Sequence, residues 1–282
     1  MITGATCSGK TSLSIDLAKK INAEIICADS RSVYKGLDIV SAKPKKEEMQ
    51  GVKHHLLDIV TPDCDFSAGD FAKEAQQTIE QIKKEGKNVI VTGGTWFYIK
   101  SLLDDKKLPQ VGINKKLREE LNLKTPDELW EMLYKLDSTR AQQIHKNNKD
   151  KVIRSIEMCI GLNMPISEYV REDKEQYGAK WFMPKIEREE LYQRINKRVD
   201  IMVGEGLYDE WQKNKTLYPN SKVLENTIGY REFFELERGE YKNFNEAVDK
   251  IKQRTRNFAK RQLTYFRSNK DIKSIGGIGE II

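Results

Sequence analysis

One stretch near the start limits the fold more than any other. Gly4-Ala5-Thr6-Cys7-Ser8-Gly9-Lys10-Thr11 matches the spacing G-x-x-x-x-G-K-[ST]. The glycines let successive backbone N–H groups turn inward around a phosphate, and a following helix adds its positive amino end. Lys10 supplies a point charge, and the Thr11 hydroxyl is placed to ligate Mg²⁺. Such a loop needs a strand before it and a helix after it. The helix is predicted over Thr11–Ile21, with Leu13, Leu17, Ala18 and Ile21 on one face. Only Met1-Ile2-Thr3 precede Gly4, which means either a very short strand or a chain that begins late.

The next residues keep alternating. Ala23–Ala28 reads as a buried strand, Ala68–Lys84 as an amphipathic helix, Asn88–Thr92 as a second strand and Thr95–Leu103 as a helix. That alternation predicts an α/β core of the P-loop NTPase-like type, built on a mainly parallel sheet. The texture changes at Pro109 and Gly112. Helical patterns follow over Asn114–Asn122, Thr125–Leu136, Ser138–His145, Lys151–Leu162 and Ile166–Asp173. Thr125-Pro126 is a strong helix start, a capping hydroxyl with Pro at the first helical position. Trp181–Ile186 reads as a strand returning to the sheet, and long helices are expected at Glu189–Gly204 and Phe244–Arg267. The expected organisation is a discontinuous core of residues 1–107 and 183–282 around a helical insertion at 108–182.

Several classes are excluded or disfavoured. No run of 18 apolar residues exists, so no membrane helix is expected. The amino end shows no charged-then-apolar secretory pattern. Cys7, Cys27, Cys64 and Cys159 lie far apart, which predicts free thiols in a cytoplasmic protein. His54-His55 could suggest a metal, but no third and fourth ligand stands at zinc-like spacing, so a structural or pocket-edge role is favoured.

Two features point toward chemistry. Asn88–Thr92 ends in Thr92-Gly93-Gly94-Thr95, where an ATPase would usually carry a metal-binding acid. The nearby strand-terminal acid is Asp29, which could hold metal, accept a proton from a substrate beside the phosphate, or cap a helix. Charge is the second feature. The chain carries a net +6, and residues 251–267 hold six basic side chains with no acidic one. The other 265 residues are therefore balanced. On a helix, Ile251, Phe258 and Tyr265 recur every seven residues as a core stripe, with Lys252, Arg256, Lys260 and Arg267 on a neighbouring face. A solvated basic surface is the commoner fate of such a run. With no acid inside the window to pair it, a phosphate-backbone contact explains it better.

A wider set of blocks adds a resemblance. Asp29-Ser30-Arg31-Ser32-Val33-Tyr34-Lys35-Gly36-Leu37-Asp38-Ile39 and Ser41-Ala42-Lys43-Pro44 resemble a signature of the tRNA dimethylallyltransferase family. His54–Ile59, Phe66–Phe71, Gly93-Gly94-Thr95 with Tyr98, Arg154–Glu157, Leu191–Asp200, Ile228–Glu232 and Thr255–Arg267 follow in that family's order. The resemblance spans nearly the whole chain.

What it implies is transfer of a dimethylallyl group from dimethylallyl diphosphate to N6 of adenine 37, beside the anticodon, in tRNAs reading codons that begin with U. Mg²⁺ assists. Residues Gly4 to Thr11 (Gly4, Ala5, Thr6, Cys7, Ser8, Gly9, Lys10, Thr11) would hold the donor's diphosphate rather than ATP. Arg198 would clamp it, Asp29 would accept the amine proton, and Thr95 would contact the attacking amine. The resemblance further implies tRNA contacts at Asp29, Ser30, Arg31, Ser32, Thr95, Arg118, Asp150, Lys151, Arg154, Arg256, Lys260 and Arg261. Lys151 stands where the family commonly has Arg, which keeps the charge but loses the bidentate fork. Ala5 and Cys7 replace a common Pro and Ala in the loop.

Competing readings are an adenylate isopentenyltransferase acting on free AMP, ADP or ATP, a P-loop nucleotide kinase, and a non-catalytic RNA-binding protein. The helical insertion and the basic helix favour a macromolecular acceptor over free adenylate. The Gly-Gly-Thr strand end disfavours the kinase, and the set Lys10, Thr11, Asp29, Thr95 and Arg198 disfavours the non-catalytic protein. A site assembled within one chain points to a monomer.

Overall fold

A computed structural model describes residues 1–103, 111–169 and 177–281. Six strands form one sheet: β1 Ile2–Thr3, β2 Ala23–Cys27, β3 His54–His55, β4 Asn88–Gly93, β5 Trp181–Pro184 and β6 Ile272–Ile275. Their order is β3-β2-β4-β1-β5-β6, and every pairing is parallel. The fold is α/β and P-loop NTPase-like. β1 is only two residues long, yet it is the central strand on which the order turns. Chain neighbours lie to one side of it and the late strands to the other. Ligands in such sheets bind outside the carboxyl ends of the strands at that reversal.

Side chains alternate across the sheet as strand geometry requires. Ile25 and Ile90, which are register partners, pack with Ile2, Ile15, Leu17 and Ala18 on the face covered by helix Lys10–Ile21. Ile26 and Val91, the next pair, face the opposite core with Phe71, Ala75, Ile79, Ile82, Ile99 and Leu102. Ala68–Lys84 is helical as its pattern predicts, with Ser67 capping it through Asp70 N. Each such buried aliphatic or aromatic side chain contributes about 1.5–3 kcal/mol.

The chain divides into two compact units, Met1–Leu103 with Glu175–Ile282, and Asp104–Lys174. The second unit is helical and has its own core of Leu121, Leu129, Leu133, Ile144, Val152, Ile153 and Ile156. Thr125 caps Pro126–Leu136 as a capping box with Glu128. Lys149–Leu162 starts two residues earlier than its pattern suggests, and Ser138–Gln142 stops earlier. Ile166–Glu168 is a single 3₁₀ turn rather than the start of a longer helix. The rest of that expected helix, from residue 170, and the break at Pro109 lie outside the described residues.

Helix Phe244–Ser268 corrects the core stripe read from heptad spacing. Ile251 is buried, but Phe258 and Tyr265 are 37% and 49% exposed. The buried line runs Val248, Ile251, Ala259, Gln262 and Phe266. A straight helix turns every 3.6 residues, so a strict seven-residue spacing drifts about 20° per repeat off the core face.

Candidate active site

The carboxyl ends of β1, β2 and β4 come level, because Cys27 pairs with Thr92 and Ile2 with the same Thr92. Loop 4–9 leaves β1 there. Its turns need positive φ at Gly4 (140°), Cys7 (62°) and Gly9 (92°). Gly4 and Ala5 are buried beneath the loop, with Ala5 against Leu191, Ile195 and Ala259. Two loop amides are already used: Ser8 N donates to Ala5 O at 3.3 Å and Thr6 N donates to Gln262 Oε1 at 2.8 Å. The amides of Cys7 and Gly9 have no acceptor among the described residues. Those of the first turn of Lys10–Ile21 are free by helix geometry.

Thr6, Cys7, Ser8, Gly9, Lys10 and Thr11 line a cavity of about 370 Å³ with Asp29, Thr92, Gly93, Gly94, Arg194 and Arg198. Lys10 Nζ donates to Ala5 O at 2.5 Å. Desolvation pushes the Lys10 ammonium down to about 8, with Asp29 opposing and Arg198 adding to the shift. Thr11 lines the cavity, and its hydroxyl has no hydrogen-bond partner among the described residues. Asp29 Oδ1 accepts from Arg31 N (2.8 Å) and Ser32 N (3.2 Å), while Oδ2 has no partner among the described residues. A hydroxyl and a carboxylate oxygen beside a phosphate cradle suit Mg²⁺, which takes one or two protein oxygens and fills its shell with water and phosphate. Among the described residues, no three His, Cys, Asp or Glu side chains gather as a metal cluster. His55 Nε2 lies 2.5 Å from Glu24 Oε2, and His54 Nδ1 lies 2.8 Å from Val52 O at the edge of this cavity.

A second cavity of about 320 Å³ adjoins the first. Thr6, Asp29, Ser41, Arg198 and Phe258 line both, so they form the neck between them. The second cavity has a mixed lining, with polar side chains such as Ser30, Arg31, Thr95 and Arg261 and hydrocarbon ones including Val40, Val199, Met202, Leu207 and Ile251. Arg198 comes from helix Arg188–Gly204 and donates to Thr6 Oγ1 at 3.2 Å and to Ser41 O at 3.5 Å. Thr95 Oγ1 accepts from Ser30 N at 3.0 Å, tying the end of β4 to the Asp29 turn. Cys27 also lines the first cavity, but burial, with Asp29 adding, raises its thiol to about 12.

Pattern reading missed Gln262 as a site residue. It is buried and joins two loops, accepting from Thr6 N and donating to Gly94 O at 3.0 Å. A Cβ on Gly94 would stand 2.1 Å from Gln262 Nε2, and one on Gly93 would stand 2.1 Å from Ala28 O. The glycine pair is therefore a steric requirement of this joint. A polar residue breaking a basic helix's core line is the signal that could have found Gln262.

The basic helix is less free than its own window implied. Lys252 pairs with Asp200 (2.6 Å) and Arg254 with Glu232 and Glu235 (2.8 and 2.5 Å). Arg256 donates to Asn196 Oδ1 at 2.6 Å. The partners come from other elements, which a window count cannot register. Lys260 and Arg267 are exposed without an acidic partner among the described residues, and Arg261 lies over the Phe258 ring at 6.0 Å. In the helical unit, buried Glu157 takes both Arg118 (2.9 Å) and Arg154, plus Asn114 N at 2.6 Å. These contacts with Arg118 and Arg154 hold the carboxylate below its usual range against desolvation. Asp150 and Lys151 are exposed in the first turn of the same helix.

A glycine-rich anion cradle opening through a charged neck into a part-apolar cavity suits a P-loop-type transferase whose donor carries its group on a phosphate. The sequence pattern of the family described as IPP transferase matches residues 32–269, and the chain belongs to that family. It is 43% identical over 279 residues to a tRNA dimethylallyltransferase of Clostridioides difficile, covering 97% of this chain and 89% of that one. The crystal structure of a tRNA isopentenylpyrophosphate transferase from Bacillus halodurans matches with TM-score 0.73 at 35% identity, covering 97% of this chain and 88% of the other. A eukaryotic dimethylallyltransferase solved acting on tRNA matches with TM-score 0.83 at 29% identity, covering 94% and 68%. Among the described residues, no helix is long and apolar enough to cross a membrane.

Proposed function

We propose that the protein is a tRNA dimethylallyltransferase that moves the dimethylallyl group of dimethylallyl diphosphate to N6 of adenine 37. The acceptors are tRNAs reading codons that begin with U. The observation that carries this reading is the neck between the two cavities. A prenyl diphosphate needs a phosphate cradle on one side and a hydrocarbon surface on the other, with the reacting carbon between them. Lys10 and the free loop amides bind the diphosphate, and Arg198 reaches it from the neck. The C1–O bond breaks as the exocyclic nitrogen attacks C1, and the electron pair leaves on diphosphate. Lys10, Arg198 and the loop amides stabilise that charge where it grows. Thr95 orients the amine, and the unpartnered Oδ2 of Asp29 accepts the N6 proton and later releases it to water. Mg²⁺ held by Thr11, with Asp29 within reach of the same cavity, would add charge neutralisation at the diphosphate.

The adenine must leave its stack to enter the second cavity. Ser30, Arg31 and Ser32 at the site, Lys260 and Arg261 on the basic helix with Arg256 beside them, and Arg118, Asp150, Lys151 and Arg154 on the helical unit (residues 108–182 in the expected organisation) would hold the anticodon stem-loop. The names of the relatives favour a tRNA acceptor over free AMP. We place the enzyme in the cytoplasm and expect a monomer.

The test is transfer of labelled dimethylallyl to an anticodon stem-loop. Transfer to the stem-loop with none to AMP is expected, and Asp29→Asn should abolish turnover while stem-loop binding persists. Equal or better transfer to AMP refutes the tRNA reading, and full activity of Asp29→Asn refutes its role as base.

A further inference from the structure

The wall that carries Ser41 to the neck is a single helical turn, Asp38–Ser41. Its own flanking residue, Leu37, gives no side-chain cap. The three amides at its start are taken instead by one carboxylate from far along the chain. Glu210 Oε2 accepts from Asp38 N (2.8 Å) and Ile39 N (2.7 Å), and Oε1 accepts from Val40 N (3.0 Å). Oε1 also accepts from the Tyr230 hydroxyl at 2.7 Å. Asn214, buried beside it, donates to Gly36 O (2.8 Å) and to the Tyr230 hydroxyl (3.2 Å). Tyr230 is fully buried and directly follows Thr227–Gly229, which line the second cavity. Gly229 sits so close to the turn that a Cβ there would meet Val40 Cγ2 at 2.8 Å. Lys43, two residues past the turn, ties back to its start through Asp38 and also holds Asp58 and Tyr34 O.

We infer that Glu210, with Tyr230, is a positioning centre that sets the donor side of the neck against the acceptor cavity. One carboxylate fixes the turn whose last carbonyl receives Arg198. Through Tyr230, the same carboxylate fixes the opposing wall at 227–229. A short helix left uncapped frays readily, because its first amides have no partner of their own. Release of the turn would move Ser41 O away from Arg198 and let the guanidinium swing off the diphosphate. Glu210 touches no substrate in this arrangement, and its side-chain hydrogen bonds go to the turn and Tyr230, none to the basic helix. This inference rests on the donor and acceptor assignments proposed above.

Its test compares Glu210→Gln and Tyr230→Phe with the unaltered enzyme. The amide of Gln keeps one acceptor oxygen but puts an NH2 where the other stood, so it cannot serve all four donors. Glu210→Gln should raise the donor KM about tenfold or more, in line with loss of hydrogen bonds to a charged group. Stem-loop Kd should stay within about twofold. Tyr230→Phe removes one of the four donors and should raise the donor KM in the same direction by about threefold. A donor KM within about twofold of the unaltered enzyme in both variants overturns the inference. So does a donor KM and a stem-loop Kd that worsen by the same factor. Should Glu210→Gln fail to fold, Tyr230→Phe decides alone by the same criterion. Absence of transfer by the unaltered enzyme would instead refute the assignment of the reaction.

Discussion

Gly94→Ala tests the joint between the phosphate loop and the end of β4. The new methyl would stand 2.1 Å from Gln262 Nε2 and 3.3 Å from its Cδ. Gln262 is buried, so its amide has little room to yield. Displacing it breaks the bonds to Thr6 N and Gly94 O and leaves the Thr6 amide without its partner. Two lost bonds at about 1 kcal/mol each, plus a part-buried amide left unpaired at up to about 2, cost roughly 2–4 kcal/mol. At about 2–4 °C per kcal/mol for this size, the melting point should fall by roughly 5–15 °C. Turnover should fall at least about tenfold, because the loop that holds the diphosphate loses its anchor. The assay is a double-mutant cycle with Gln262→Ala, read by thermal melting and by single-turnover transfer. The doubly altered enzyme should be no worse than Gln262→Ala alone, since removing the glutamine amide makes space for the methyl. Additive losses, or a Gly94→Ala enzyme with normal melting and turnover, would refute the steric argument.

Other outcomes follow from the charge network. Burial pushes Glu235 up, but Arg254, Tyr241 and Arg231 outweigh it and hold the carboxyl at about 2. Its ordinary value is about 4.5, so the stabilisation is complete above that pH and is lost as pH falls toward 2. The unfolding free energy read from urea titrations should drop across that window by about 3 kcal/mol, and Glu235→Gln should flatten the drop. Lys260→Gln with Arg261→Gln should lower the salt slope of stem-loop binding by roughly 1.5, while Lys252→Gln, already paired to Asp200, should leave it unchanged. Glu157→Ala should unpair Arg118 and Arg154 and cost the helical unit about 2–3 kcal/mol, below the fully buried range because both guanidiniums are a third exposed. Hydrogen exchange of amides in residues 111–169 would report it.

Local pattern read well where one element carried its own signal. Ala68–Lys84 needed only its apolar periodicity and its Ser67 start, and the phosphate loop needed only its glycines. β3 was hidden because two histidines carry no alternation, so the structural or pocket-edge role favoured for them did not show itself as an edge strand. The turn Asp38–Ser41 was hidden for another reason: its cap, Glu210, arrives from residues distant in sequence. The same holds for the basic window, whose acidic partners Asp200, Glu232 and Glu235 sit on other helices. Lys10, Asp29, Thr95 and Arg198 could be nominated from motifs. Gln262 and Phe258 could not, because their importance lies in which loops and cavities they join.

Helix Phe244–Ser268 links these observations. Along one rod it presents Ile251 to the core, Phe258 to the neck, Gln262 to the two loops and Lys260 with Arg261 to solvent. Phe258, Arg261 and Gln262 share one side of the helix, three and four residues apart, while Lys260 stands on the other, because each step turns about 100°. A contact of Lys260 or Arg261 with an RNA backbone therefore acts on the same rigid segment that anchors Thr6 and Gly94. A stem-loop seated out of register would pull on that segment through Arg261, which also lies over the Phe258 ring of the neck. On the proposed assignments, acceptor grip and the shape of the neck are parts of one helix, and the basic window would matter through its buried neighbours as much as through its charge.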